Sequence, residues 1–403
     1  MSTNDTRSPK EQSSQGTPSA PNVPNTLGAA VTPHVSGISA PTTLADLRQS
    51  IDSIDTQLVQ LLHKRAEVSL AVGTIKKRDN LPIWQPQREQ ELLQKICNLN
   101  GGTLPSKHLT AIYREILASS KALQHTDTIG YLGPEGTYSH LACTSVFGQF
   151  ARTKPYASFR AMVAALAHEE CDYAIIPIEN SLYGTVSESF DLLREQTSLR
   201  IIAEHVQRIQ LAALSLETNF DTVTTVFSHA QPLGQCAQWL ATHLPNATLT
   251  PVESTAVAAE KAVITPQSIA IGHEKMASLK GLPLHVLAAN IEDSPHNWTR
   301  FFVIQRADSI SASPSKANKS TLIFSVPDNP GSLAHVLGIF ANAGANLSKL
   351  ESRPTRTGTW KYVFFADLNC DVSTSAYTVM LSDLSAYCHD VRVLGTYTAS
   401  TGA

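Results

Sequence analysis

Between Leu47 and Ile75 apolar residues recur at intervals alternating four and three, through Leu47, Ile51, Ile54, Leu58, Leu61, Val68, Val72 and Ile75, with Arg65 between Leu61 and Val68. Such a seam marks a long helix packed lengthwise against others, so the stretch predicts a helical bundle. Arg65 falls on the seam and points inward. A buried guanidinium without a counter-charge is costly, which calls for an internal acid or an anionic ligand at that level. Lys76 lies three turns further on, close to the same face and about 16 Å away by helix rise. Arg48 is about 25 Å before Arg65 on a straight helix, too far for one small ligand to touch both from one chain. If both serve one pocket, one of them comes from a second subunit.

The 403 residues suggest two or three domains, at about 150 residues each. A formal charge of −3 carries no nucleic-acid signal, so any anion binding is local. The six cysteines lack paired spacing, which fits reduced thiols in a cytoplasm rather than a disulfide framework or a zinc site. No apolar run approaches about 18 residues, so no membrane span is expected. Residues 1–40, rich in Ser, Thr, Pro and Asn, read as a disordered tail.

Punctuation divides the rest. Residues 41–126 read as helical: a long first helix, a turn near Asn80 to Pro86, a second helix with Glu89, Leu92, Leu93 and Ile96, and a third through Leu109, Ile112, Ile116 and Leu123. Residues 127–307 alternate short apolar runs with helical stretches, as an α/β domain does. A Ser-rich linker over 308–319 precedes residues 320–399, whose apolar spacing reads βαββαβ. The fold class expected is therefore multidomain, all-α followed by α/β parts.

Ser120 and Gln124 share one face of the third helix. With Arg48, Arg65, Lys76, Arg88 and Glu89 they offer cations and hydrogen bonds, without a nucleophile or a metal. The segments Leu47 to Asp52, Lys64 to Glu67, Val72 to Lys76 and Arg88-Glu89 resemble the all-helical chorismate mutase family, whose dimer interlocks long helices. The resemblance implies that Arg48 of one subunit and Arg65 of the other grip the substrate's two carboxylates. Lys76 and Gln124 would hydrogen-bond the ether oxygen, Glu89 the ring hydroxyl and Ser120 a carboxylate, with Arg88 in the substrate-binding set. A family acid just before the Arg-Glu pair is Gln85 here, followed by Pro86. The implied reaction, the pericyclic rearrangement of chorismate to prephenate, needs a compact conformer and stabilised charge on the breaking ether bond. It needs no cofactor.

In the central domain small polar residues stand where strands give way to helices, at Tyr131 to Ser139, Ala174 to Ser181, Phe227 to Pro232 and Glu253 to Ala256. Such residues cap helix starts, where free N–H groups make anion sites, although most caps are structural. The glycines fit neither GxxxxGK[ST] nor GxGxxG, and no HExxH or comparable cluster suggests a metal. Together with Asn297-Trp298-Thr299-Arg300-Phe301 these turns resemble the prephenate dehydratases, which have two α/β lobes like periplasmic binding proteins and hold the substrate between them. The resemblance implies that Thr299 acts on the leaving ring hydroxyl, assisted by Asn180 and Gln235, while Glu179, Ser228 and Thr137 line or order the cleft. Arg300 stays open between carboxylate ligand and structural ion-pair partner. Aromatisation drives the loss of carbon dioxide and water, so the protein need only orient both groups and donate a proton.

Asp328 to Leu333 and Leu350 to Pro354 resemble the ACT regulatory domains, which have a ferredoxin-like fold. That resemblance implies L-phenylalanine captured between paired ACT domains by Gly331, Ser332, Leu333, Glu351, Ser352, Arg353 and Pro354. Gly331 is read as permitting close backbone approach at a helix start. The order of the three parts resembles the bifunctional bacterial P-proteins. It implies a cytoplasmic homodimer or homotetramer acting on chorismate and prephenate and inhibited by L-phenylalanine, with no cofactor, nucleic acid or membrane partner. An arogenate dehydratase and a non-catalytic phenylalanine sensor are the alternatives.

Overall fold

The computed structural model describes residues 43–79, 81, 84–309, 317–354 and 362–400; the tail expected over 1–40 and most of the linker expected over 308–319 lie outside these. The chain divides after Leu61 into two compact units. The described part of the first is the beginning of helix α1 (Leu44–Arg78). Thr43 Oγ1 accepts from the Asp46 N–H at 3.2 Å while Asp46 Oδ2 accepts from the Thr43 N–H at 2.9 Å. This reciprocal cap satisfies donors that a helix start otherwise leaves unpaired. The helix predicted from the seam is present, but the seam is bare: Ile51, Ile54, Leu58, Leu61 and Val68 are each more than half exposed.

In the second unit α2 (Pro86–Leu99) packs on α3 (Ser106–Gln124). Proline suits the first turn of α2, where its missing N–H would find no helical partner anyway. Gly73 lets α3 lie close to α1, since a Cβ there would stand 2.9 Å from Gln124 Cγ. Trp84, almost wholly buried, anchors the helices to the α/β part, 4.5 Å from the Phe147 ring and 5.4 Å from that of Tyr173.

The α/β part begins with β1 (Thr128–Leu132), α4 (Tyr138–Phe147), β2 (Arg152–Tyr156), α5 (Phe159–Ala167), β3 (Tyr173–Asn180), β4 (Gly184–Thr185), α6 (Ser187–Glu195) and β5 (Leu199–Arg208). The chain then leaves for a second sheet. That sheet comprises β6 (Ala212–Ser215), β7 (Thr225–Ser228), α7 (Ala230–Gln235), α8 (Ala237–His243), β8 (Thr248–Pro251), α9 (Thr255–Ile264), β9 (Ser268–Gly272), α10 (Met276–Leu279) and β10 (His285–Ala289). β11 (Trp298–Arg306) returns to the first sheet, giving orders β2-β1-β3-β11-β5, with β4 on β3, and β10-β6-β9-β7-β8. The two crossings between lobes pair with one another: the Ile291 N–H donates to the Leu211 carbonyl at 3.0 Å and the Ile209 N–H to the Asn297 carbonyl at 2.8 Å. Two lobes joined by paired crossings are the arrangement expected from the resemblance to periplasmic binding proteins.

The C-terminal part follows the βαββαβ reading as β12 (Lys319–Ser325), α11 (Ser332–Asn342), β13 (Leu347–Pro354), β14 (Tyr362–Leu368), α12 (Thr378–Tyr387) and β15 (Asp390–Tyr397). Its antiparallel sheet is ordered β13-β14-β12-β15. Alternation along the strands serves two cores. Leu322 and Phe324 pack with Val336, Phe340 and Leu384 of the helices. Ile323, Val363, Phe365 and Tyr397 join the core of the first lobe, where Phe365 meets Phe190 edge-on at 4.6 Å. Among the described residues no helix is long and apolar enough to cross a membrane.

Candidate active sites

The helices of the second unit bring Arg65, Glu89 and Ser120 together with Lys76. Arg65 Nη1 donates to Ser120 Oγ, which itself donates to the Ile116 carbonyl at 2.7 Å. Lys121 Nζ stands 3.0 Å from Glu89 Oε1. Burial raises the Glu89 carboxyl above the usual range, against the pull of Lys121 and Lys76. Burial likewise lowers the Lys76 ammonium, against the pull of Glu89. The pocket thus favours less charge than it contains. Gln124, held over Gly73, has its Oε1 buried without a hydrogen-bond partner among the described residues. Lys121 is the member that sequence reasoning missed, because a lysine beside a serine signals nothing until α2 sets Glu89 opposite it. The two other cations of the expected set are both exposed. Arg88 is exposed and 4.0 Å from Glu91 on its own helix, and Arg48 is exposed on the early part of α1.

In the α/β part the ladder between β3 and β11 sets Thr299 opposite Asn180 and Arg300 opposite Glu179. Asn180 Nδ2 donates to Thr299 Oγ1 at 3.0 Å. Among the described residues Thr299 donates no hydrogen bond of its own, so its hydroxyl proton stays available. Two other hydroxyls of the expected set differ from it. Ser228 Oγ, fully buried, donates to the Ile271 carbonyl at 2.7 Å, and Thr137 Oγ1 donates to the Leu132 carbonyl at 3.2 Å. Each retains lone pairs only. Thr137 also caps α4, on a loop pressed against the second lobe: Gly136 has φ +86°, and a Cβ there would lie 2.6 Å from Met276 Sδ. Gln235 is buried at the end of α7, its carbonyl accepting from the Asp293 N–H at 2.7 Å.

Glu179 and Arg300 face the C-terminal domain. The Arg300 guanidinium lies 2.7 Å from Glu204 Oε2 and 2.5 Å from Asp367 Oδ2, and donates to the Tyr397 hydroxyl at 3.1 Å. Lys319 stands 3.0 Å from Glu204, so two cations meet two carboxylates. Of the two roles left open for Arg300, ion pairing is the geometry found. Glu179 pairs with Lys349 of β13. Further along that strand Glu351 accepts from Thr185 Oγ1 at 2.9 Å, Arg353 donates to Ser187 Oγ at 2.7 Å, and the Pro354 carbonyl accepts from Arg194 at 3.0 Å. Ser352 is exposed.

Gly331 takes a left-handed φ of +84° at the start of α11, and a Cβ there would meet nothing within 4 Å. Its backbone conformation, rather than the close approach read from the sequence, is what calls for glycine. Ser332 accepts from the Tyr387 hydroxyl at 3.1 Å, and Leu333 packs on the domain core. The first ACT motif lies between β12 and the start of α11 and the second on β13; β14 separates these two strands, which therefore stand about 10 Å apart in one chain. Among the described residues one group could ligate a metal: His125, Asp127 and Asp172, with ligand atoms within 4.8 Å of one another at the junction of α3 and β1. His125 and Asp172 are exposed, and the Thr128 N–H already donates to Asp172 at 2.7 Å.

Comparison with known proteins follows the same division. Family models match in three successive stretches: chorismate mutase type II over residues 47–125, prephenate dehydratase over 129–309 and ACT domain over 320–376. A bifunctional chorismate mutase/prephenate dehydratase of Aquifex aeolicus (strain VF5) is 37% identical over 358 residues, covering 88% of this chain and 97% of that protein. The crystal structure of a prephenate dehydratase from Arthrobacter aurescens in complex with L-Phe is similar with a TM-score of 0.61 and 32% identity, over 67% of this chain and 89% of that one. GqqA, described as a novel type of quorum quenching acylase, is similar with a TM-score of 0.62 and 28% identity, over 68% of this chain and 98% of that one. Three domains matched in order, and a relative covered over nearly its whole length, place the chain in the bifunctional chorismate mutase/prephenate dehydratase family.

Proposed function

We propose that the helical cluster carries the family's rearrangement of chorismate to prephenate and the β3–β11 junction its conversion of prephenate to phenylpyruvate, in a cytoplasmic homodimer or homotetramer inhibited by L-phenylalanine. The observation that carries the dehydratase half is the Asn180 N–H on Thr299 Oγ1, which leaves the threonine proton for the leaving ring hydroxyl. As the carboxylate departs as carbon dioxide, its bonding pair enters the ring. The C–O bond breaks with its pair on oxygen, and the proton donated there completes water. Gln235 assists Thr299 with Asn180, while Glu179, Ser228 and Thr137 line or order the cleft.

In the mutase half Arg65 and Arg48 of a second copy hold the carboxylates, with Ser120 beside Arg65. Lys76 and Gln124 serve the ether oxygen and Glu89 the ring hydroxyl, as charge develops on the breaking bond. The exposed seam of α1 supports a second copy, because soluble chains rarely leave so long an apolar stripe in water. The domain boundaries remain 41–126, 127–307 and 320–399. Six free cysteines support a reducing compartment, and the ACT match supports phenylalanine as effector. The test is phenylpyruvate formation by the purified full-length chain from prephenate alone and from chorismate alone, with and without L-phenylalanine. Product from both, suppressed by phenylalanine, is expected. Product from prephenate only would remove the mutase assignment, and product from neither would remove both.

A further inference from the structure

Asn297 ends the second crossing between the lobes, one residue before β11, and is wholly buried. The Asn180 carboxamide that faces it can sit only one way round. Its Oδ1 meets the N–H groups of Leu182 and Tyr183 at 3.0 and 3.1 Å, and two donors require an oxygen. Nδ2 therefore points the other way, toward Asn297 Oδ1 at 2.7 Å, Thr299 Oγ1 at 3.0 Å and the Trp298 carbonyl at 3.1 Å. Nδ2 has two hydrogens for these three acceptors, and Asn297 Oδ1 is the nearest of them. Among the described residues the Nδ2 of Asn297 itself is buried with no partner, a cost that a side chain serving only to fill space would avoid.

We propose that Asn297 is a positioning residue for the dehydration. Its Oδ1 sets the rotation of the Asn180 carboxamide, so that an N–H of Asn180 covers a lone pair of Thr299 and the Thr299 proton is directed at the leaving hydroxyl. The inference rests on the role of Thr299 given above, and Asn297 acts through Asn180 rather than on the substrate.

Asn297→Ala should lower kcat for prephenate about tenfold with KM within about twofold, while chorismate rearrangement by the same protein is unchanged. Asn297→Asp keeps the accepting oxygen and replaces the unpartnered N–H groups with a second oxygen; burial favours its neutral form, so it should recover kcat to within about threefold of wild type, more fully at low pH than at high. In a Thr299→Ala background, where nothing is left to orient, Asn297→Ala should change the residual rate less than about twofold. Wild-type kcat in Asn297→Ala, equal losses in the Ala and Asp variants, or a full further loss on the Thr299→Ala background would each overturn the proposal. Should Asn297→Ala fail to fold, shown by lost mutase activity, Asn297→Ser takes its place with the same expected split. If Thr299→Ala alone leaves turnover intact, the Thr299 assignment has failed; if it abolishes turnover while the Asn297 variants are silent, only this inference has.

Discussion

Asn180 and Thr299 meet on adjacent strands of one sheet, whereas the helical cluster gathers Arg65, Glu89 and Ser120 and leaves Arg48 on the early part of a helix with a bare seam. A pair of side chains made by a ladder is in place once the strands pair, because register alone sets them opposite one another. A site made by helix faces depends on whatever covers those faces. The strands add a second property. Successive side chains point to opposite sides, so the pair that faces Asn180 and Thr299 inward turns Glu179 and Arg300 toward Lys349 and Asp367 of the C-terminal domain. The Asn180–Thr299 pair is thereby tied to the sheet of the C-terminal domain one residue away, and the helical cluster has no such ladder.

The largest effects expected separate the two sites. Thr299→Ala should lower prephenate turnover by about 10² to 10³-fold, as loss of a placed proton donor does, with chorismate turnover unchanged. Arg65→Ala should do the reverse by a similar factor, since it removes a charged grip on the substrate. Loss of both activities in either variant would mean that the regions are one coupled site rather than two. The next effect concerns the bare seam. Leu58→Glu should prevent helix pairing, make chorismate turnover at least tenfold slower (roughly) and dependent on protein concentration, and leave prephenate turnover within about threefold. Concentration-independent mutase activity in that variant would show that one chain suffices.

A smaller effect is expected where the strands meet the regulatory sheet. Lys349→Ala removes the partner of Glu179, so the L-phenylalanine concentration for half inhibition should rise about fivefold, with the uninhibited rate within about threefold. Unchanged inhibition would assign the coupling to the Arg300 cluster instead.

The sequence carries the seam because its period is local, and it carries the βαββαβ order because strands and helices there alternate at short range. It carries the Asn297 to Phe301 motif as a string of residue types but not which way each faces, since that depends on the β3–β11 register and on strands more than sixty residues later. Lys349 finds Glu179 across 170 residues and Lys121 finds Glu89 across 32, and no spacing rule reaches so far. Arg300 shows the limit plainly: the arginine of the Thr-Arg-Phe motif reads equally well as ligand or as brace until Glu204 and Asp367 are placed around it. Gly331 was legible as a helix start, but the need for glycine comes from its φ rather than from a neighbour.

The smallest expected effect lies at the seam between the two regions, where α3 hands over to β1. Burial, with the charge of Asp172 as a lesser contributor, pushes the Asp127 carboxyl up to about 6, against the pull of His125 and Lys121. An acid whose folded value lies above its unfolded one holds its proton longer in the folded chain, so the folded state binds more protons between about pH 4 and 6. Its contribution to stability is therefore present below that window and is lost as pH rises through it. Asp127→Asn removes the titration while keeping the shape. The variant and wild type should have similar midpoints of urea unfolding at about pH 3.5, and at pH 7.5 the variant should be the more stable by about 1 kcal/mol. A variant less stable at pH 7.5 would mean that the ionised carboxylate gains more from His125 and Lys121 than burial costs it, and the junction would then be a charged clasp between the two regions rather than a strained one.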